Sequence, residues 1–255
     1  MDAQVLHPHS SLRSYGLEAK YEFLRLWRTP SFALPSLLFP ILFYVLFGVV
    51  LAGGRGGAEV ARYLLATYGV FGIMGSALFG FGVTIAIERD NGQLEYKRAL
   101  PMPPGAVLLA KMAMAMLFAA ITSVLLAVVG GVFAGVSLAP WQWVALFAVN
   151  VLGVLPFCAV GLLIGSLVSG SAAPAFVNLV YLPMAFLSGL WMPLTMLPAF
   201  IAKSAPAWPS YHLAQVALKV VERDAGGPLW LHFGVLAVVT VGCFMLARRR
   251  LAAAR

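Results

Sequence analysis

The sequence predicts an all-α integral membrane protein with six transmembrane helices, an N-terminal amphipathic interfacial helix, a short polar helix between spans 2 and 3, and short external, re-entrant-like helices between spans 5 and 6. Three observations carry this fold class. Hydrophobic residues make up 62% of the chain and charged residues only 10%, too apolar and charge-poor for an ordinary water-soluble domain. The apolar runs are mostly about twenty residues or longer, the length a helix needs to cross a bilayer core of roughly 30 Å. They also lack the short alternating pattern of barrel strands.

The elements follow in order. Over Leu17 to Trp27, the residues Leu17, Tyr21, Leu24 and Trp27 recur at helical spacing while Glu18, Lys20, Glu22 and Arg25 take the other side, so residues 1–30 are read as a segment lying along a membrane surface. Thr29-Pro30 ends it. Span 1 covers about Ser31 to Leu51, with Pro35 and Pro40 inside it, which a bilayer helix tolerates when neighbours re-satisfy the freed backbone. A turn at Gly53 to Gly57 leads to span 2, about Tyr63 to Ile87, whose Gly69, Gly72, Gly75, Gly80 and Gly82 allow close helix approach.

Residues 88–104, ERDNGQLEYKRALPMPP, are the long polar passage of the first half. Asp90 with Gln93 three residues on reads as a capping box, Asn91-Gly92 as the turn, and Pro101, Pro103 and Pro104 as the stop. Between them fits a helix of roughly 12 Å, too short to span anything and suited to being held by a partner. Span 3 then covers about Ala106 to Phe133 and span 4 about Trp143 to Val168, with Trp141 and Trp143 at an interface. Span 5 runs from about Ala175 to Leu190. The external segment, residues 191–227, is apolar but broken by Pro193, Pro198, Pro206 and Pro209 into pieces too short to cross. Span 6 covers about Leu229 to Leu246, and Arg248, Arg249 and Arg250 follow. The whole of 1–255 reads as a single membrane domain, and the first hydrophobic run lacks the cleavage signal of a removable leader.

Of the 17 Lys and Arg residues, twelve fall before span 1, around the polar helix or after span 6, and five on the opposite side. The positive-inside rule therefore puts both termini and the polar helix in the cytoplasm. The same distribution, without a basic stripe interleaved with aromatics, argues against nucleic acid as a partner of the +8 chain. Cys158 and Cys243 lie in apolar runs without CxxC or Cys/His spacing and read as small buried hydrophobes, so no metal site is expected.

No GxxxxGK[ST] phosphate loop, HExxH or GxSxG occurs, so the chain reads as a non-enzyme. His212 and His232 are read as interfacial. No ionisable residue falls clearly inside a span; Glu88, Arg89 and Lys111 are read as span-end residues. Asn150 and Asn178 are the deepest amides, either lining a path for an amphipathic substrate or bonding neighbouring helices. Energy for transport must then come from outside the chain.

Glu88, Arg89, Gly92, Leu94, Glu95, Arg98 and Pro101 match a pattern E-R-x-x-G-x-L-E-x-x-R-x-x-P. With Phe186 to Pro198, FLSGLWMPLTMLP, they resemble the permease family of ABC exporters of the second type, in its drug, antibiotic and sodium exporter-like branch. The resemblance implies a subunit of the bacterial cytoplasmic (inner) membrane that works as a homodimer, or with a sister permease, beside two separate ABC ATP-binding subunits. ATP and Mg would be bound by those partners, with no cofactor in this chain. It further implies that 88–104 is a coupling helix, with Leu94 and Tyr96 docking in an ATPase groove and Glu95, Lys97 and Arg98 meeting its rim. Trp191, Pro193, Leu197 and Pro198 would belong to an outer gate. The expected function is export of a hydrophobic or amphipathic substrate; the alternatives are a polysaccharide or lipid-linked glycan exporter, or a non-transporting membrane sensor or assembly factor.

Overall fold

The computed structural model describes residues 11–52, 57–99 and 105–253. All regular structure among them is helical. Among the described residues, five helices are long and apolar enough to cross a membrane: Pro30–Val50, Gly57–Asp90, Ala106–Val132, Pro140–Leu167 and Leu229–Leu251. They coincide with expected spans 1, 2, 3, 4 and 6 to within a few residues. The expected fifth span is a 15-residue helix, Ala173–Leu187, about 22 Å long, shorter than a bilayer core of roughly 30 Å. Gly189, at φ +75, ends it by turning the chain back through a conformation that side chains disfavour.

The helices are α1 (Ser11–Trp27), α2 (Pro30–Tyr44), α3 (Gly57–Ala77), α4 (Thr84–Asp90), α5 (Gln93–Ala99), α6 (Ala106–Val132), α7 (Pro140–Leu167), α8 (Ala173–Leu187), α9 (Ala199–Ser204), α10 (Pro209–Val220) and α11 (Leu229–Ala253). A wider π turn, Val45–Val50, continues α2, and another, Leu78–Val83, joins α3 to α4 in one 34-residue rod. That rod is the centre of the molecule, 83% buried along its most apolar stretch, against 22% for the first span and 11% for α11. Its small residues explain why it can be surrounded. A Cβ on Gly72 would meet Thr122 of α6 and Pro40 of α2 within 2.9 Å, and one on Gly165 of α7 would come 2.4 Å from the Gly82 carbonyl oxygen.

The proline-broken segment after α8 behaves as its sequence dictates, because proline starts helices readily and cannot continue them. Pro193 precedes a 3₁₀ turn at Leu194–Met196, Pro198 precedes α9, Pro206 lies in a second 3₁₀ turn at Ala205–Ala207, and Pro209 opens α10. Only α10 is deeply buried. It packs against α3, α7 and α11, with His212 through Leu218 all buried.

The chain leaves Leu17, Tyr21 and Trp27 of α1 exposed, on the face expected to lie along a membrane surface, whereas Glu22 and Leu26 are buried against the bundle. The polar edge finds fixed charges there, while the apolar edge is left for the surroundings. One local expectation is corrected: the capping box at Asp90 does not form. Asp90 ends α4 and its carboxylate accepts from the Gly170 amide at 2.7 Å, while Gly92, at φ +71, makes the turn and its carbonyl accepts from Tyr96 N–H.

Candidate functional site: a charge cluster behind the short polar helix

Three consecutive residues at the end of the central rod each hold a different element. The Glu88 carboxylate faces α1 and α6, accepting from Arg25 and, at 2.9 Å, from Lys111. Arg89 donates to the carbonyl oxygens of Gly165 (3.0 Å) and Val168 (2.8 Å), filling acceptors that every helix leaves open at its C-terminal end. Asp90 takes the Gly170 amide in the turn that follows. Glu-Arg-Asp therefore ties α4 to α1, α6, α7 and the 168–172 turn.

The cluster around Glu88 is closed. Lys111 lies in the second turn of α6, and its ammonium has three protons to place. They go to Glu88, to Glu22 of α1 at 3.2 Å and to the Thr84 hydroxyl at 3.2 Å. Glu22 uses both oxygens: one accepts from Lys97 of α5 at 2.7 Å, the other from Arg25 at 2.8 Å and Lys111. Lys97 also donates to Glu18 at 2.8 Å. Three carboxylates thus face three cations, and Lys111, Glu22 and Glu88 are almost completely buried.

Burial by itself would raise the Glu22 carboxyl, but Lys111, Lys97 and Arg25 outweigh it and hold the group below its ordinary value. Burial likewise works to lower Lys97, and its hydrogen bonds to Glu18 and Glu22 prevail and raise it. Both groups are held charged. Such a network does not need to add net stability, but removing one member leaves an uncompensated buried charge, so its members are forced to keep their geometry together.

The short polar helix rides on this cluster. Leu94 is 7% exposed and turned inward, and Lys97 is engaged with α1. Glu95 is exposed and Tyr96 is 70% exposed, pointing away from the chain. Of the residues assigned from sequence to a partner, Glu88, Arg89, Leu94 and Lys97 make contacts within the chain, Gly92 forms the turn, and Glu95 and Tyr96 are exposed. The Arg98 side chain and Pro101 lie outside the described residues.

The remaining candidates are distributed over other regions. Asn150 is buried on α7 and donates to Ser123 of α6 at 3.0 Å, whereas Asn178 is exposed on α8; no hydrogen bond joins the two amides among the described residues. Trp191 is half-buried and lies within about 6 Å, centroid to centroid, of Phe43, Phe71 and Phe186, while its carbonyl oxygen accepts from Tyr68. This aromatic group is some twenty residues up the rod from Glu88, about 30 Å at 1.5 Å per residue. Pro193 and Leu197 are partly buried beside it, and Pro198 is exposed.

Sequence reasoning had not grouped Glu18, Glu22, Arg25, Thr84 and Lys111 into the site. A signal existed: a lysine five residues inside an apolar helix requires a paid-up partner, and Glu18, Glu22 and Arg25 share one helical edge.

This geometry defines a multi-pass helical membrane protein with a short polar helix braced against the ends of its spans. The chain belongs to the ABC-2 type transporter family, whose family model matches residues 15–220. It is also similar to the Bacillus subtilis (strain 168) protein named "Putative transport permease YvfS", at 29% identity over 227 residues, covering 88% of this chain and 91% of that protein. A transport permease subunit, working with an ABC ATP-binding subunit, is what this family membership defines.

Proposed function

We propose that this chain is the membrane subunit of an ATP-driven exporter, moving a hydrophobic or amphipathic substrate out of the cytoplasm as a dimer with two separate ATP-binding subunits. The observation that carries the reading is the brace behind α5: a seven-residue helix that exposes Tyr96 and Glu95 and is tied through Lys97 to α1 and, via Glu22, to Lys111 of α6. A groove on the ATPase takes Tyr96 and Leu94's helix as a helix-in-groove ligand, with Glu95 and Arg98 at the rim. Glu88, Arg89 and Gly92 shape and support that helix from behind, and Pro101 is assigned with it to the ATPase contact.

Closure of the ATPase pair around ATP and Mg displaces α5. Because three carboxylates and three cations move together, displacement of α5 carries α1, α6 and the rod with little separation of charge. On this reading the charged end and both termini are cytoplasmic in a bacterial inner membrane, and α8 completes a six-span subunit. The exposed faces of α2 and α8, which include Leu38, Leu42, Phe176 and Leu179, take the second permease copy. Asn178 on that face, with Asn150, belongs to the substrate path, and Trp191, Pro193, Leu197 and Pro198 form the outer gate.

The test is co-expression with the ABC ATPase encoded beside this chain, followed by detergent pull-down and ATP hydrolysis. Wild-type protein is expected to retain the ATPase, and Glu95→Arg with Tyr96→Ala is expected to lose it while inserting normally. Equal retention by both proteins would refute the assignment of α5.

A further inference from the structure

On the flank of the bundle, between α6 and α7 with Leu65 of α3 behind it, lies a cavity of about 430 Å³, within the ordinary range of small-molecule sites. Its wall is apolar and its mouth faces sideways, since Val124, Val128 and Val144 are more than half exposed. In a membrane that mouth opens to lipid. At its inner side are Ser123 and Asn150, 6% and 2% exposed.

The pair is half-satisfied. The Asn150 amide nitrogen donates to the Ser123 oxygen at 3.0 Å, and the amide lies so close to Gly69 that a Cβ there would come 2.7 Å from it. The Asn150 carbonyl oxygen is buried without a hydrogen-bond donor, and the Ser123 hydroxyl proton has no acceptor among the described residues. Unmade hydrogen bonds at buried atoms are costly, and the site therefore offers one open acceptor, the Asn150 oxygen, beside the Ser123 hydroxyl proton and the second Asn150 amide proton.

A hydroxyl group satisfies both, donating to Asn150 and accepting from Ser123. An ether or ester oxygen can only accept and leaves the Asn150 oxygen open, a carboxylate does the same and finds no countercharge, and an ammonium would bury an unpaired charge. We infer that this cavity is a lateral site for a neutral, single-chain amphiphile with a hydroxyl head, of the long-chain alcohol or monoacylglycerol type, entering from the bilayer with its chain along the valine wall. The inference stands on the cavity and the Ser123–Asn150 pair and does not depend on transport or on the ATPase.

The experiment uses the purified full chain in phosphatidylcholine nanodiscs, photolabelled with a diazirine-bearing hexadecanol and mapped by mass spectrometry. Label is expected within 123–128 and 143–150, with unlabelled hexadecanol competing about five- to tenfold better than its methyl ether, the advantage of one buried hydrogen bond. Ser123→Ala, which removes a donor that alcohol and ether share, should weaken both competitors severalfold while leaving the alcohol's advantage, carried by Asn150, in place, and Val144→Trp, at an exposed mouth position that leaves the core intact, should cut labelling at both peptides. Label elsewhere, equal competition by the ether, unchanged competition by both compounds in Ser123→Ala or unchanged labelling in Val144→Trp would each overturn the site.

Discussion

Replacing Lys111 with Met tests the charge cluster most directly. Met fills the volume of the lysine stem but withdraws the cation that serves Glu88, Glu22 and Thr84 at once. Glu22 keeps Lys97 and Arg25, whereas Glu88 keeps only Arg25 and already has one carboxylate oxygen without a partner. The cluster then holds three carboxylates against two cations. Breaking a buried pair by removing one partner costs about 3–5 kcal/mol, and the surviving contacts of Glu22 put this case at about 3. At about 2–4 °C per kcal/mol for a chain of this size, the thermal midpoint in detergent should fall by roughly 6–12 °C. Adding Glu88→Gln restores the balance of charge, two carboxylates to two cations, and should recover most of the loss. Tryptophan fluorescence during a thermal ramp reads both variants. A midpoint within about 2 °C of wild type for Lys111→Met, or a further drop in the double variant, would refute the closed-cluster account.

Four further outcomes follow from the same geometry. Because Glu22 is held below its ordinary value of 4.5, its contribution is complete above that pH and is lost as the pH falls through the depressed folded value; Lys97, raised above 10.5, contributes fully below that pH and is lost as the pH rises past its folded value. Thermal midpoints measured across pH should therefore fall away on both flanks, and Glu22→Gln should flatten the acid flank. Gly165→Ala, whose methyl would meet the Gly82 carbonyl oxygen at 2.4 Å, should cost about 1–3 kcal/mol, while Gly242→Ala, with nothing within 4 Å, should leave the midpoint unchanged in the same ramp. Arg89→Met removes the donors to the Gly165 and Val168 carbonyls, so hydrogen exchange should accelerate in 163–172 and not in α10. Tyr96→Ala, at an exposed position, should shift the midpoint by less than about 0.5 kcal/mol equivalent while weakening ATPase retention in pull-down.

Much of the fold is written in local chemistry. Runs of about twenty apolar residues can satisfy their backbone in a bilayer only as helices, so five spans and their approximate ends follow from hydropathy. Pro193, Pro198 and Pro209 start the short helices after α8 because proline is accepted in a first helical turn and excluded from an interior. The 88–104 passage stood out because a polar stretch between two spans, turned by Asn91-Gly92 and stopped by prolines, has no apolar face with which to enter lipid.

The sequence by itself determined the helical membrane class, the placement of five spans and the existence of a short polar helix between the second and third. Only the tertiary structure decided what that helix is fastened to. Lys111 reads along the chain as a span-end charge, and Glu22 as the solvated edge of an amphipathic helix. Their meeting with Glu88 depends on how α1 crosses α6, a relation between residues 89 positions apart that no local pattern encodes. The same holds for Ser123 and Asn150, separated by 27 residues and joined because Gly69 leaves room for the amide. Periodicity identifies which residues share a helix face; the packing of that face against others settles which charges are paired and which polar atoms remain open.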